Sequence, residues 1–175
     1  MTPSPEDMSA RPLVIGILSD THLSRPTPEF ASLVERCFAG VKVILHAGDL
    51  TELTVLSAFG DREVHAVGGN MCSAATRQAL PAKKVINVGK FRLGLIHRAG
   101  DDYDFEARLP GEFDSVDAIV YGHTHRPVCQ TQGGVLFVNP GAFQPTSRRY
   151  GQPGTYALLT VGSGLSAVIR EAPSA

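Results

Sequence analysis

Seven residues able to offer an oxygen or nitrogen to a metal ion stand just beyond short apolar runs in this chain. Asp20 and His22 follow Leu13-Val-Ile-Gly-Ile-Leu18, and Asp49 follows Val41-Lys-Val-Ile-Leu45. Asn70 follows Val64-His-Ala-Val67, His97 follows Leu93-Gly-Leu-Ile96, and His123 and His125 follow Ala118-Ile-Val-Tyr121. Taken singly, each is an ordinary turn: Gly48-Asp49 and Gly69-Asn70 are common loop pairs, and Asp20-Thr-His22 reads as a turn with a solvated histidine. Gly122-His123-Thr-His125 is sharper, because a glycine after a buried run lets the backbone turn closely while two imidazoles project together. The set mixes carboxylate, amide and imidazole donors without a thiolate, which suits Mn, Fe, Zn, Co or Ni and argues against a structural zinc site.

Elements must bring these donors together, because they lie far apart in sequence. Short Val/Ile/Leu runs without strict alternation read as strands covered on both faces, the habit of parallel sheets. Ligands of such sheets gather at the strands' C-terminal edge. Strands through one sheet region would therefore carry all seven donors into one crevice. Pro28 to Ala39 has apolar residues near helical spacing, with Thr27 or Pro28 fitting a start and Gly40 a stop. Leu53 to Phe59 and Ser73 to Leu80 fit shorter helices. Lys84–Val88 and Phe91–Ile96 read as a hairpin turned at Gly89-Lys90, and Val135–Val138, Tyr156–Val161 and Leu165–Ile169 add strands. The pattern predicts an α/β fold in one domain, two mixed sheets packed as a sandwich with helices outside.

The bulk numbers accommodate that fold. A chain of 175 residues is of single-domain length, with residues 1–12 read as a loose tail, 13–171 as the folded domain and 172–175 as a frayed end. A net charge of -1 gives no electrostatic case for broad binding to nucleic acid or to an anionic membrane. No apolar stretch approaches the ~20 residues that span a bilayer. Cys37, Cys72 and Cys129 are odd in number and lack paired spacing, which fits reduced thiols in a cytoplasmic chain. His46 and His65, inside strands, read as packed or hydrogen-bonded structural residues.

In order along the chain, Asp-x-His, Gly-Asp, Gly-Asn, His and Gly-His-Thr-His resemble the calcineurin-like metallophosphoesterase superfamily, in particular its small capless bacterial and archaeal phosphodiesterases. The resemblance runs from about Leu13 to Ile169. It implies a two-sheet αββα sandwich and two divalent ions, Mn being the first choice. It further implies that Asp20, His22 and His125 hold one ion, that Asn70, His97 and His123 hold the other, and that Asp49 bridges them. Two carboxylates offset only half the charge of two such ions, so the site is left attractive to an anion. A hydroxide bridging the ions is the implied nucleophile, with no protein nucleophile required.

Departures from that pattern bear on the substrate. Many relatives follow Gly-Asn with a histidine that assists the leaving group, where this chain has Met71 and Cys72. Activated diesters are therefore expected in preference to alkyl monoesters. Many relatives also carry a second histidine after His97, where this chain has Arg98, which could fork onto a phosphate or face Asp101 and Asp102. Arg148 or Arg149, after a turn at Asn139-Pro-Gly-Ala142, stands where relatives place an arginine near the site. Expected substrate contacts are thus Asn70, Arg98 and Arg148. The expected partner is a small phosphodiester; a homo-oligomer stays open. The rival expectation is a protein-binding scaffold like the phosphoesterase-like subunit of the retromer coat, since a fold does not fix a function.

Overall fold

The computed structural model describes residues 12–100, 104–144 and 153–173. The chain runs through β1 (Leu13–Leu18), α1 (Pro28–Cys37), β2 (Val43–His46), a 3-10 helix (Leu53–Phe59), β3 (Glu63–Ala66), α2 (Ala74–Ala79), β4 (Lys83–Val88) and β5 (Phe91–Ile96). It continues through α3 (Phe105–Arg108), a 3-10 turn (Leu109–Glu112), β6 (Ala118–Val120), β7 (Val128–Gln132), β8 (Val135–Asn139), β9 (Thr155–Val161) and β10 (Leu165–Glu171).

These strands form two five-stranded sheets, ordered β10-β9-β1-β2-β3 and β4-β5-β6-β8-β7. In the first sheet β1, β2 and β3 run parallel, with β9 antiparallel to β1 and to β10. In the second β5, β6 and β8 run parallel, flanked by antiparallel β4 and β7. The expectation of ligand-bearing strands in one sheet region is thereby corrected: three belong to one sheet and two to the other.

Side-chain alternation explains why the sheets stack. Ile15 and Ile17 of β1 point into a core shared with Leu45, Leu93, Leu95, Val120 and Val138, so each sheet covers the other. Leu18 and Ile44 point the opposite way, against Phe30, Val34 and Phe38 of the α1 region and Phe59. On the far face of the second sheet, Ile119 and Phe137 meet Phe105 and Leu109. The result is the αββα layering expected from the sequence.

Local signals place the helices. Thr27 caps α1 by accepting the Phe30 N–H, and Ser73 caps α2 by accepting the Thr76 N–H. Glu52 makes no side-chain cap for the segment that follows it, and Leu53–Phe59 forms a 3-10 helix. Asp104 precedes α3 without a capping side-chain hydrogen bond. Strand β7 was not anticipated: its residues are mostly exposed and polar, so it has no apolar pattern. The hairpin signal was nevertheless there, since Gln132 pairs with Val135 across Gly133-Gly134.

Candidate metal centre

All the ligand-bearing loops leave their strands at one end of the sandwich, and hydrogen bonds stitch them across the two sheets. His97 Nδ1 lies 2.8 Å from the Ala47 carbonyl, which joins the second sheet to the first. The His123 N–H donates to Asp20 Oδ2 at 3.1 Å, and the Gly122 N–H donates to the His97 carbonyl at 3.1 Å. Within the first sheet, the Asp20 and His22 N–H groups donate to the Gly48 and Asp49 carbonyls at 3.0 and 2.9 Å.

The backbone at these positions departs from the ordinary. Asp20, His22, Asp49, His123 and His125 all have left-handed φ, between 48° and 72°. Such residues cost of order 1 kcal/mol or more each and persist where the surroundings over-determine them. Five of the seven anticipated donors share this conformation, which concentrates backbone strain at this end of the sandwich. Gly48 has φ of 97°, and a side chain there would run into the His97 ring. At Gly122 an added Cβ would collide with Ser19 Oγ and come within 2.9 Å of Asp20 Oδ2, so only glycine lets the two loops close.

Asp20 is fully buried, and its Oδ1 accepts no aligned hydrogen bond. Two imidazole nitrogens face that atom, His125 Nε2 at 3.2 Å and His22 Nε2 at 3.8 Å, and these two nitrogens are themselves 3.2 Å apart. A buried carboxylate oxygen with nothing to accept is costly unless a cation sits against it. His97 repeats the theme. A carbonyl can only accept, so Nδ1 carries the proton toward Ala47, and Nε2 of the neutral ring presents a lone pair. That lone pair looks at two further acceptors, Asn70 Oδ1 at 3.1 Å and Asp49 Oδ2 at 3.3 Å. Three electron pairs converging without a hydrogen between them fit a bound cation; in its absence the ring must take a proton.

The titration behaviour follows. Burial disfavours the charged forms of Asp20 and Asp49, yet both stay below the ordinary carboxylate range because histidines beside them, His125 and His97 respectively, outweigh it. Burial likewise opposes charging His97, but the hydrogen bond and charge of Asp49 raise it. His125 is raised by its contact with Asp20, whereas burial lowers His22.

Two overlapping groups of donor atoms lie within 4.8 Å of one another: Asp20, His22 and His125, and Asp20, Asp49 and His97. Asp20 is common to both. Asn70 adds its Oδ1 beside His97, and the His123 ring lies 5.3 Å from that of His97, centroid to centroid. The structure thus gathers the seven anticipated donors at one end. Arg98 is half-buried and borders a cavity beside Asn70 and His97. Arg148, Arg149, Asp101 and Asp102 lie outside the described residues.

Further residues named in the sequence support the ligand loops, a role that the sequence reading does not assign to them. His46 is buried, as anticipated for a structural histidine, but it also ties two ligand loops. Its Nδ1 accepts the Gly48 N–H at 3.2 Å, so Nε2 donates to Thr21 Oγ1 at 3.2 Å. Burial pushes its pKa down to about 4 and keeps the ring neutral. Asn139 donates to the Gly122 carbonyl and Thr124 Oγ1, holding the two-histidine loop, and accepts the Gly141 N–H. His65 is a plain structural residue, near Glu63 and Lys84. Cys72 is buried, with its sulfur 3.2 Å from the Gly69 nitrogen.

Comparison with known proteins agrees with this geometry. The family model described as the calcineurin-like phosphoesterase superfamily domain matches residues 13–164. A probable metallophosphoesterase of Methanothermobacter thermautotrophicus is 33% identical over 162 residues, covering 90% of this chain and 91% of that one. Two solved structures share the fold at lower identity. A novel archaeal phosphodiesterase aligns with a TM-score of 0.65 at 17% identity, over 90% of this chain and 100% of that one. Zinc-complexed Vps29 of Entamoeba histolytica aligns with a TM-score of 0.65 at 22% identity, over 92% and 100%.

Proposed function

From the premise that the chain belongs to the calcineurin-like phosphoesterase superfamily, we propose that it hydrolyses phosphodiesters with two divalent ions held at the convergent loops. One observation carries the reading: a buried carboxylate oxygen with no aligned hydrogen bond to accept and a histidine ring nitrogen facing two oxygens, within one cluster of donors. Those residues fit divalent cations. Asp20, His22 and His125 would hold one, Asn70, His97 and His123 the other, with Asp49 between. Asp20, common to both donor groups, is a second candidate for the shared position. Divalent ions there supply Lewis-acid chemistry, acidifying water and neutralising phosphoryl oxygens. The oxygen and nitrogen donors admit Mn, Fe, Zn, Co or Ni, with Mn the first to test.

The chain's own residues orient and attract. Asp20 and Asp49 each commit one oxygen to a backbone N–H, of His123 and Met71, which leaves the other oxygen aimed inward. His97 is locked in one tautomer by Ala47. Where an assisting histidine would stand, Met71 is exposed and carries no proton to give. Leaving groups stable as anions are therefore preferred, which favours activated diesters over alkyl monoesters.

A specific observation supports the scaffold reading: Vps29 shares the fold, and zinc is present in that protein's structure. Metal binding alone thus does not separate enzyme from scaffold, whereas turnover does. Hydrolysis of bis-p-nitrophenyl phosphate faster than p-nitrophenyl phosphate by the metal-loaded protein supports the diesterase; two bound ions without turnover of either favour the scaffold.

A further inference from the structure

A cavity of about 310 Å³ adjoins the metal centre, bordered by Gly68, Asn70, Arg77, Leu80, His97 and Arg98 among others. Two of these, Asn70 and His97, belong to the candidate ligand set, so a group bonded to a phosphorus at the ions can extend into this space. Two arginines border it, and no carboxylate stands among its described lining residues.

Arg77 is held in place by one nitrogen. Its Nη1 donates to the Cys72 carbonyl and, at 3.4 Å, to the Asn70 carbonyl. Its Nε and Nη2 make no hydrogen bond, and no carboxylate pairs with it, among the described residues. Tethering one nitrogen while leaving the rest of the fork open presents a cation already oriented beside the carbonyl of a metal ligand. Guanidinium forks of this kind suit phosphate oxygens. Apart from His97, the described lining offers no group that would readily protonate a departing oxygen.

We infer that the cavity receives a leaving group that is itself a phosphate ester, held by Arg77 and Arg98, so that the substrate class is the organic diphosphates, two esterified phosphates joined by an anhydride oxygen. The inference rests on the diesterase reading and narrows it. The water oxygen bonds to the phosphorus at the metal centre, and the bond from that phosphorus to the bridging oxygen breaks. The bridging oxygen and its electron pair leave with the second phosphate. The products are two phosphate monoesters, with two protons released to solvent. Departure as a phosphate anion needs no protonation by the enzyme, and the arginines offset the charge that develops.

The experiment compares diadenosine diphosphate with bis-p-nitrophenyl phosphate as substrates of the manganese-loaded wild type, Arg77→Gln and Arg77→Lys proteins, with bound metal and thermal unfolding measured for each. Binding of adenosine monophosphate to the same proteins is read by calorimetry. The wild type is expected to hydrolyse both substrates. In Arg77→Gln the ratio of kcat/KM for the diphosphate to that for the p-nitrophenyl diester should fall roughly tenfold or more, with adenosine monophosphate bound more weakly. Arg77→Lys, which keeps the charge and loses the fork, should fall between, and it serves if the glutamine variant loses metal or fold. Turnover of the p-nitrophenyl diester without the diphosphate, or a ratio unchanged in both variants, overturns this inference and leaves the diesterase reading standing. Turnover of neither substrate with two ions bound overturns both.

Discussion

Asp49 shows how much one side chain carries. Its Oδ1 accepts the Met71 N–H at 2.8 Å, anchoring the loop that bears Asn70, while Oδ2 faces His97. Asp49→Ala is therefore expected to lose metal and activity together, with turnover falling by more than about a hundredfold; elemental analysis beside a hydrolysis assay reads both, and full turnover with two ions retained contradicts the site. His46 acts at one remove. His46→Leu leaves the Gly48 N–H and the Thr21 hydroxyl without partners, at a cost of about 2 to 5 kcal/mol in urea unfolding of metal-free protein, and weakens metal binding roughly tenfold to a hundredfold. Unchanged metal affinity would remove it from the supporting set.

The same residue sets a pH dependence. The folded pKa of His46, about 4, lies below the ordinary 6.5, so between these values the unfolded chain binds more protons than the folded one. Its contribution is complete above pH 6.5 and is lost as pH falls toward 4, an effect of about 3 kcal/mol. The stability gap between metal-free wild type and His46→Leu should narrow by that amount on acidification from pH 7 to 4. His97 and His125, raised in the metal-free protein, work in the opposite sense: their contribution is present below pH 6.5 and fades as pH rises through their raised values.

Elements divide into those that build the sandwich and those that aim the ligands, and variants should separate them. Thr27 caps α1, whose apolar face packs on the outer side of the first sheet. Thr27→Ala should cost about 1 kcal/mol in thermal unfolding and leave metal stoichiometry intact. Gly122→Ala should do the reverse in kind, forcing Ser19 and Asp20 aside and weakening metal binding beyond any loss of stability. Most of this was legible beforehand. The runs ending at Leu18 and Ile96 match β1 and β5, because buried parallel strands announce themselves by apolar content. Residues whose work is done by hydrogen bonds announce only part of it: His46 reads as a hydrogen-bonded structural residue, but its tie to Thr21, 25 residues away, and the grip of Arg77 on the Cys72 carbonyl leave no periodic trace. Strand β7 failed for a related reason: it is held by pairing with β8, and its exposed Gln and Thr residues carry no apolar signal.

At the scale of the whole molecule, the sandwich puts two sheets' C-terminal edges side by side, and it is their junction that makes the site. Donors from β1, β2 and β3 meet donors from β5 and β6 because the shared core stacks the sheets and the Ala47–His97 and Asp20–His123 hydrogen bonds clamp their edges together. The described chain has no helix long and apolar enough to cross a membrane. The most direct test strips the protein of metal, titrates it with Mn, and follows bound metal together with hydrolysis of bis-p-nitrophenyl phosphate and p-nitrophenyl phosphate. The account predicts turnover that rises as about two ions bind and that favours the diester. A protein that binds no divalent ion at these loops would contradict it.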